Sequence, residues 1–220
     1  DLKSYKVTKG EEVKKPAYDP NEWDWGFRNE LDNQPVPSPD KKWTAFIRNF
    51  NVWVRNEEDK KEYPLSIDGC NGKFYSAFIY WAPGSDKLIA YKVRPAVKHM
   101  ISYIESSPAD QLQPKYYSYE YPKPGDDVPQ FYPQIFNVKE KKHIVVDEEL
   151  LPNQYDLLNY QWDTLGKYVT FEYNKRGHQV YRVMKIDAGS GRMDIIIDEQ
   201  SKTFIDYSSK RFRYDLPETG

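Results

Sequence analysis

Ser38-Pro39-Asp40-Lys41-Lys42-Trp43-Thr44-Ala45-Phe46 places a tight polar turn directly in front of a short apolar run. The same order returns, with wear, at Trp81-Ala82-Pro83-Gly84-Ser85-Asp86-Lys87-Leu88-Ile89-Ala90-Tyr91 and at Trp162-Asp163-Thr164-Leu165-Gly166-Lys167-Tyr168-Val169-Thr170-Phe171. Turn formers followed by branched and aromatic residues specify a turn feeding a strand. A unit that recurs after tens of residues cannot bury its own apolar face alone, so its copies must stack.

From these three anchors the strands can be read outward. The first unit has strand-like runs at Trp43 to Ile47, Val52 to Arg55 and Glu62 to Leu65, broken by Asn49-Phe50-Asn51 and Asn56-Glu57-Glu58-Asp59. The second runs from Phe74 to Trp81 through Leu88 to Val93 and Gln134 to Val138, and closes at His143 to Asp147. The third gives Tyr155 to Trp162, Tyr168 to Tyr173, Val180 to Ile186 and Met193 to Asp198. Four antiparallel strands per unit is the pattern of a propeller blade. The expected fold is therefore all-β: a partial β-propeller of about three four-stranded antiparallel blades with incomplete flanking strands.

Pro39 and Pro83 are 44 residues apart, within the ~40–50 residues of such repeats, but Pro83 and Thr164 are 81 apart. One insertion between the second and third strands of unit two, at about residues 95–131, accounts for the excess. Within it Val97, His99, Ile101 and Tyr103 alternate as a strand would, although Val97, Met100, Ile101 and Ile104 also fit a helical period; the stretch is assigned to strand. The chain divides into an N-terminal segment at 1–32, three blades at 33–204 and the start of a further blade at 205–220.

The 220 residues suffice to bury roughly 70% of the unfolded surface, so the fold needs neither a disulfide nor a metal. Cys70 stands alone and is expected to be a partly buried, inert side chain. The 32 basic and 34 acidic residues are finely mixed, which leaves no electrostatic footprint for nucleic acid or an anionic membrane. No run approaches the ~20 apolar residues that cross a bilayer as a helix. The chain opens on Asp1-Leu2-Lys3, as expected of a processed piece of something longer.

Chemistry-bearing patterns are sparse. No Gly-x-Ser-x-Gly elbow occurs, and Gly189-Ser190-Gly191 after Asp187-Ala188 reads as a hairpin turn. His99, His143 and His178 are far apart and lack metal-site spacing. Of the three, His178 alone sits in a polar, basic turn suited to face a cavity, Asn174-Lys175-Arg176-Gly177-His178. Glu57-Glu58, Asp126-Asp127 and Glu148-Glu149 are acidic pairs able in principle to take an ammonium, though each lies in or beside a solvated turn. The tyrosine- and proline-rich stretch Gln113 to Pro133 suits either a hairpin packed on its own blade or a peptide-docking surface. No phosphate loop, haem motif or calcium loop is present, so no catalytic residue, metal ligand or cofactor is assigned and substrate-binding residues stay unknown.

Taken together, Ser38 to Phe46, Trp81-Ala82-Pro83 and the insertion resemble the N-terminal propeller of the dipeptidyl peptidase IV subfamily of prolyl oligopeptidase-type serine peptidases. The insertion carries most weight, with Leu88 to Arg94, Gln113-Pro114-Lys115, Tyr121-Pro122-Lys123-Pro124-Gly125-Asp126 and Ile135-Phe136-Asn137-Val138 in that family's order and spacing. The resemblance spans roughly Ser38 to Asp206. It implies a separate C-terminal α/β-hydrolase domain in the parent protein that carries the Ser, Asp and His, and a ring that screens peptide substrates. It also implies a pair of glutamates, shortly before the second blade's Trp-Ser-Pro, that hold the substrate N-terminus, but the matching stretch Gly69 to Ser76 holds no acid.

The expected function is thus a segment of the substrate-gating propeller of a periplasmic or secreted serine exopeptidase, its signal peptide removed, not catalytic by itself. The alternative is a stand-alone propeller-like module that binds a peptide or glycan. Open flanks predict self-association or limited stability for the isolated chain.

Overall fold

A computed structural model describes residues 35–209 and 212–213. The segment read as 1–32 lies outside them. Fourteen strands and no helix occur among the described residues. By their contacts these residues form two units: the hairpin Met100–Glu120, and the rest.

In the larger unit β1 (Val36–Pro37), β2 (Trp43–Arg48), β3 (Asn51–Asn56) and β4 (Glu62–Pro64) make a first antiparallel sheet in sequence order. The second contains β5 (Phe74–Trp81), β6 (Lys87–Arg94), β9 (Gln130–Asn137) and β10 (Lys142–Ile144), with β9 paired along the whole of β6. The third runs β11 (Gln154–Trp162), β12 (Tyr168–Lys175), β13 (Val180–Asp187), β14 (Met193–Gln200). None of the three closes on itself, and the architecture is that of part of a propeller. The smaller unit is the antiparallel pair β7 (Met100–Glu105) and β8 (Lys115–Glu120), which leaves the second sheet between β6 and β9. Its cross-strand pair Tyr103 and Tyr117 stacks at 4.9 Å.

The three anchor turns share one hydrogen-bond pattern. Ser38, Ala82 and Asp163 each donate their N–H to the carbonyl of the following strand, at Trp43, Lys87 and Tyr168. Lys41, Ser85 and Gly166 each donate back to that first residue and each take a left-handed φ, at 59°, 59° and 66°. The turn carbonyls of Lys42, Asp86 and Lys167 then accept from Glu57, Val138 and Ala188, just after each third strand. Two tryptophans extend the pattern between sheets. Trp81 Nε1 donates to the carbonyl of Val36 at 3.0 Å, and Trp162 Nε1 to that of Tyr80 at 3.1 Å, so one first strand is bonded to the previous one.

Side-chain alternation fills two cores. Ala45, Ile47, Val52 and Val54 of the first sheet meet Tyr75, Leu88, Ala90 and Phe136 of the second. Ile89 and Ile135, on the opposite face of the same strands, meet Leu157, Val169, Phe171 and Met184 of the third. An aromatic seam extends the second core, with Tyr160 parallel to Phe171 at 4.9 Å and edge-on to Tyr91 at 4.9 Å. Tyr160 reaches it from a bulge in β11, where Asn159 takes φ 54°.

Two expectations need correction. The closing strand of the second unit is Lys142–Ile144, not His143 to Asp147. The chain leaves the ladder at Val145 because the third sheet's turn packs there: a Cβ on Gly191 would lie 2.1 Å from the Val145 carbonyl oxygen. Val146 then enters the second core. Cys70, expected to be partly buried, is exposed, because it lies in a turn that projects from the connection between β4 and β5.

Gly191 combines φ 77° with that close approach, whereas a Cβ on Gly189 in the same turn would meet nothing nearer than 3.5 Å. Gly191→Ala is expected to destabilise the chain by about 2–4 kcal/mol. Gly189→Ala is expected to stay within about 0.5 kcal/mol. Urea unfolding of the two variants checks the contrast.

Candidate functional site

Polar side chains converge on one end of the second sheet, on its face toward the first, and the backbone explains why. The β2–β3 hairpin turns through Asn49 and Phe50, both left-handed at φ 48° and 66°. A phenylalanine rarely adopts that conformation. Here its carbonyl accepts the Tyr75 N–H at 2.9 Å. The connection 65–73 is pulled onto the same tip, where Asn51 Oδ1 accepts from Ser66 Oγ and from Gly69 N, each at 2.9 Å. A Cβ on Gly69 would sit 2.1 Å from the Phe50 oxygen, so only glycine fits this approach.

Asp68 is thereby held above Tyr75 and Lys92, which pair across β5 and β6. Lys92 Nζ donates to one carboxylate oxygen at 2.5 Å and Tyr75 OH to the other at 3.0 Å. Partial burial pushes the Asp68 carboxyl up, but these two bonds outweigh it and hold it below its ordinary 3.8. Burial, with Asp68 beside it, pushes the Tyr75 hydroxyl well above the usual phenol range.

The cluster continues across the sheet. His143 Nε2 is bonded to Gln134 Oε1 at 2.8 Å, and Gln134 Nε2 donates to Glu148 Oε1 at 3.4 Å. The His143 ring stacks on Phe136 at 4.7 Å, and burial lowers its pKa, favouring the neutral form. Burial raises that of Glu148. Lys73 Nζ lies 4.7 Å from the centre of the Tyr132 ring. The arrangement offers fixed donors, acceptors and an aromatic face. Among its described residues the hydroxyl that donates to a carboxylate is Tyr75 OH, on Asp68, and burial with that charge beside it opposes the ionisation a nucleophile would need.

The other sequence candidates are spread out. Glu57 accepts from Thr44, Arg55 and Lys60, and Lys60 first among them holds its carboxyl at about 2. Asp126 accepts from the Lys123 N–H at 2.7 Å, and its carbonyl accepts from Arg176. His178 packs its ring between Tyr155 and Tyr207, each at 4.5 Å, with Asn174 bonded to its Nδ1 at 3.1 Å. Ser190 Oγ is spent on Asp187, which also accepts two turn N–H groups. Among the described residues no cluster suited to a metal ion occurs, and no helix is long and apolar enough to cross a membrane.

The structure brings His143 and Glu148, which the sequence kept apart, together through Gln134. Asp68, Lys92 and Tyr75 went unnoticed in the sequence, although a lysine inside the apolar run Leu88 to Val93 is a signal of a buried ion pair.

Three open antiparallel sheets of four, joined through their first strands, define a β-propeller segment. The family model for the dipeptidyl peptidase IV (DPP IV) N-terminal region matches residues 5–218, and the chain belongs to that family. Among solved structures it is similar to dipeptidyl peptidase 4 of Porphyromonas gingivalis, with TM-score 0.57, 19% identity, and coverage of 79% of this chain and 26% of that one. It is also similar to a putative dipeptidyl aminopeptidase IV from Bacteroides ovatus, with TM-score 0.58, 14% identity, and coverage of 79% and 25%. The chain thus spans about a quarter of the length of each. No match is found among curated proteins.

The Asp68–Lys92 pair is unequal, since the Lys92 side chain is 11% exposed and that of Asp68 48%. Asp68→Asn, which strands a buried ammonium, is expected to cost about 2–3 kcal/mol. Lys92→Met, which leaves a hydrated carboxylate, is expected to cost about 1 kcal/mol or less. Because folding lowers the Asp68 pKa, its contribution is present above the unfolded value and fades as pH falls through the folded one. Both variants should flatten that acid limb, as measured by thermal melts between about pH 5 and pH 2.

Proposed function

We propose that this chain is part of the substrate-gating propeller of a DPP IV-like serine exopeptidase, and that it contributes recognition and screening, not the nucleophile. The observation that carries this reading is the family match over residues 5–218. Two structural facts support it. Ser190, in the string nearest to a serine elbow, is consumed by its own turn, and the polar end of the second sheet is built of mutually bonded groups. The partner on this reading is a C-terminal α/β-hydrolase domain of the parent protein, the substrate is a peptide, and the setting is periplasmic or secreted.

Purified chain incubated with Xaa-Pro chromogenic peptides is expected to release no more product than buffer. Turnover abolished by a single substitution within residues 35–209 would overturn the proposal. A reading frame that continues past Gly220 into a Gly-x-Ser-x-Gly sequence supports it, while a stop codon there favours a stand-alone peptide- or glycan-binding module.

The isolated chain is expected to self-associate, since β14 exposes Ile195, Ile196 and Ile197 along a sheet edge. Light scattering across a dilution series checks this; a monomer at every concentration contradicts it.

A further inference from the structure

The connection that carries Asp68 contains two bonds open to the same chemistry, and the structure separates them. Asp68-Gly69 and Asn71-Gly72 each set a side-chain carbonyl carbon beside the amide nitrogen of a following glycine, and Asn71-Gly72 is the sole Asn-Gly pair in the chain. At Asp68-Gly69 both partners are engaged. The carboxylate accepts from Lys92 and Tyr75, and the Gly69 N–H donates to Asn51 Oδ1 at 2.9 Å. The approach is closed as well, with the Phe50 carbonyl packed against Gly69.

At Asn71-Gly72 the reverse holds. Both residues are exposed, and neither the Asn71 amide nor the Gly72 N–H makes a hydrogen bond among the described residues. Gly72 has φ 96°, and nothing lies within 4 Å of where its Cβ would be. The turn is held only at its base, by the two backbone bonds between Cys70 and Lys73 at 2.9 and 3.0 Å. A two-residue tip without side-chain ties opens at little free-energy cost.

We propose that Asn71 is a spontaneous deamidation site, at which the folded chain converts an amide into a carboxylate. The Gly72 nitrogen forms a bond to Asn71 Cγ as the Cγ–Nδ2 bond breaks. Nδ2 departs as ammonia, taking up the proton that the Gly72 nitrogen loses, and a cyclic imide remains. Water then opens the ring at either carbonyl, giving aspartate or isoaspartate, with no oxidation or reduction. Either product adds one negative charge two residues from Lys73, the cation over the Tyr132 ring. The isoaspartate also lengthens the main chain within the turn, which breaks the Cys70–Lys73 pairing. The polar end of the second sheet thus acquires an acid that the gene does not encode.

The test ages the full chain at neutral and mildly alkaline pH, folded and in denaturant, and maps the tryptic peptide Glu62–Lys73 by mass and by isoaspartate methylation. Conversion of Asn71 in the folded chain is expected within about threefold of the denatured rate, faster at the higher pH and absent in Asn71→Gln. Asp68 should stay aspartate in the folded chain and isomerise only in denaturant. Protection of Asn71 by more than about thirtyfold on folding overturns the proposal, as does equal conversion at Asp68 and Asn71 in the folded state.

Discussion

The middle sheet is buried on both faces, and the rest of the molecule depends on that constraint. Along β6, Leu88 and Ala90 enter the core shared with the first sheet while Ile89 enters the core shared with the third. Along β9, Phe136 and Ile135 divide in the same way. A strand alternates its side chains with period two, so one short run serves two cores only if a neighbouring sheet covers each face. Leu88, Ile89, Ile135 and Phe136 each contribute about 1.5–3 kcal/mol on burial, and Ala90 less. A one-residue slip in register would exchange the residues of the two cores, which fixes the register firmly.

That stacking also places the polar site. The hairpin tip of the first sheet must reach the start of β5, and it does so through a strained Phe50 whose carbonyl meets Tyr75 and leaves room only for glycine at position 69. Asp68 lands on Lys92 as a consequence. A lysine near the end of an apolar strand is tolerable because its counter-ion arrives from the connection between sheets. The ion pair therefore reports on the fit of the first two sheets to each other. Asn71, three residues beyond Asp68, lies just outside the bonded network, which is why the two glycine-linked sites differ in reactivity.

Much of the fold was legible in the sequence, because a turn of Pro, Asp, Gly and Lys before an apolar run leaves a mark that survives divergence. The three anchor turns carry the same bonds and the same left-handed residue although Lys41, Ser85 and Gly166 differ. β1 was missed because two residues carry no period. Val145-Val146 has the composition of a strand, so the sequence carries β10 on to Asp147, whereas the pull away from the ladder comes from a glycine in a distant turn. The polar cluster was hardly legible at all. Its members come from the connection 65–73, β5, β6, β9, β10 and the loop after β10, and adjacency across sheets leaves no trace in sequence spacing. His143 and Glu148 were visible one at a time, but Gln134, which joins them, had nothing to mark it.

Amide hydrogen exchange of the chain, resolved by residue, tests the two-sided burial most directly. The N–H groups of β6 and β9 are expected to exchange last and through global unfolding alone, with β14 and the β7–β8 hairpin opening locally at much lower free energy. Uniform protection across the three sheets, or slowest exchange in β14, would contradict a fold organised around a doubly covered middle sheet.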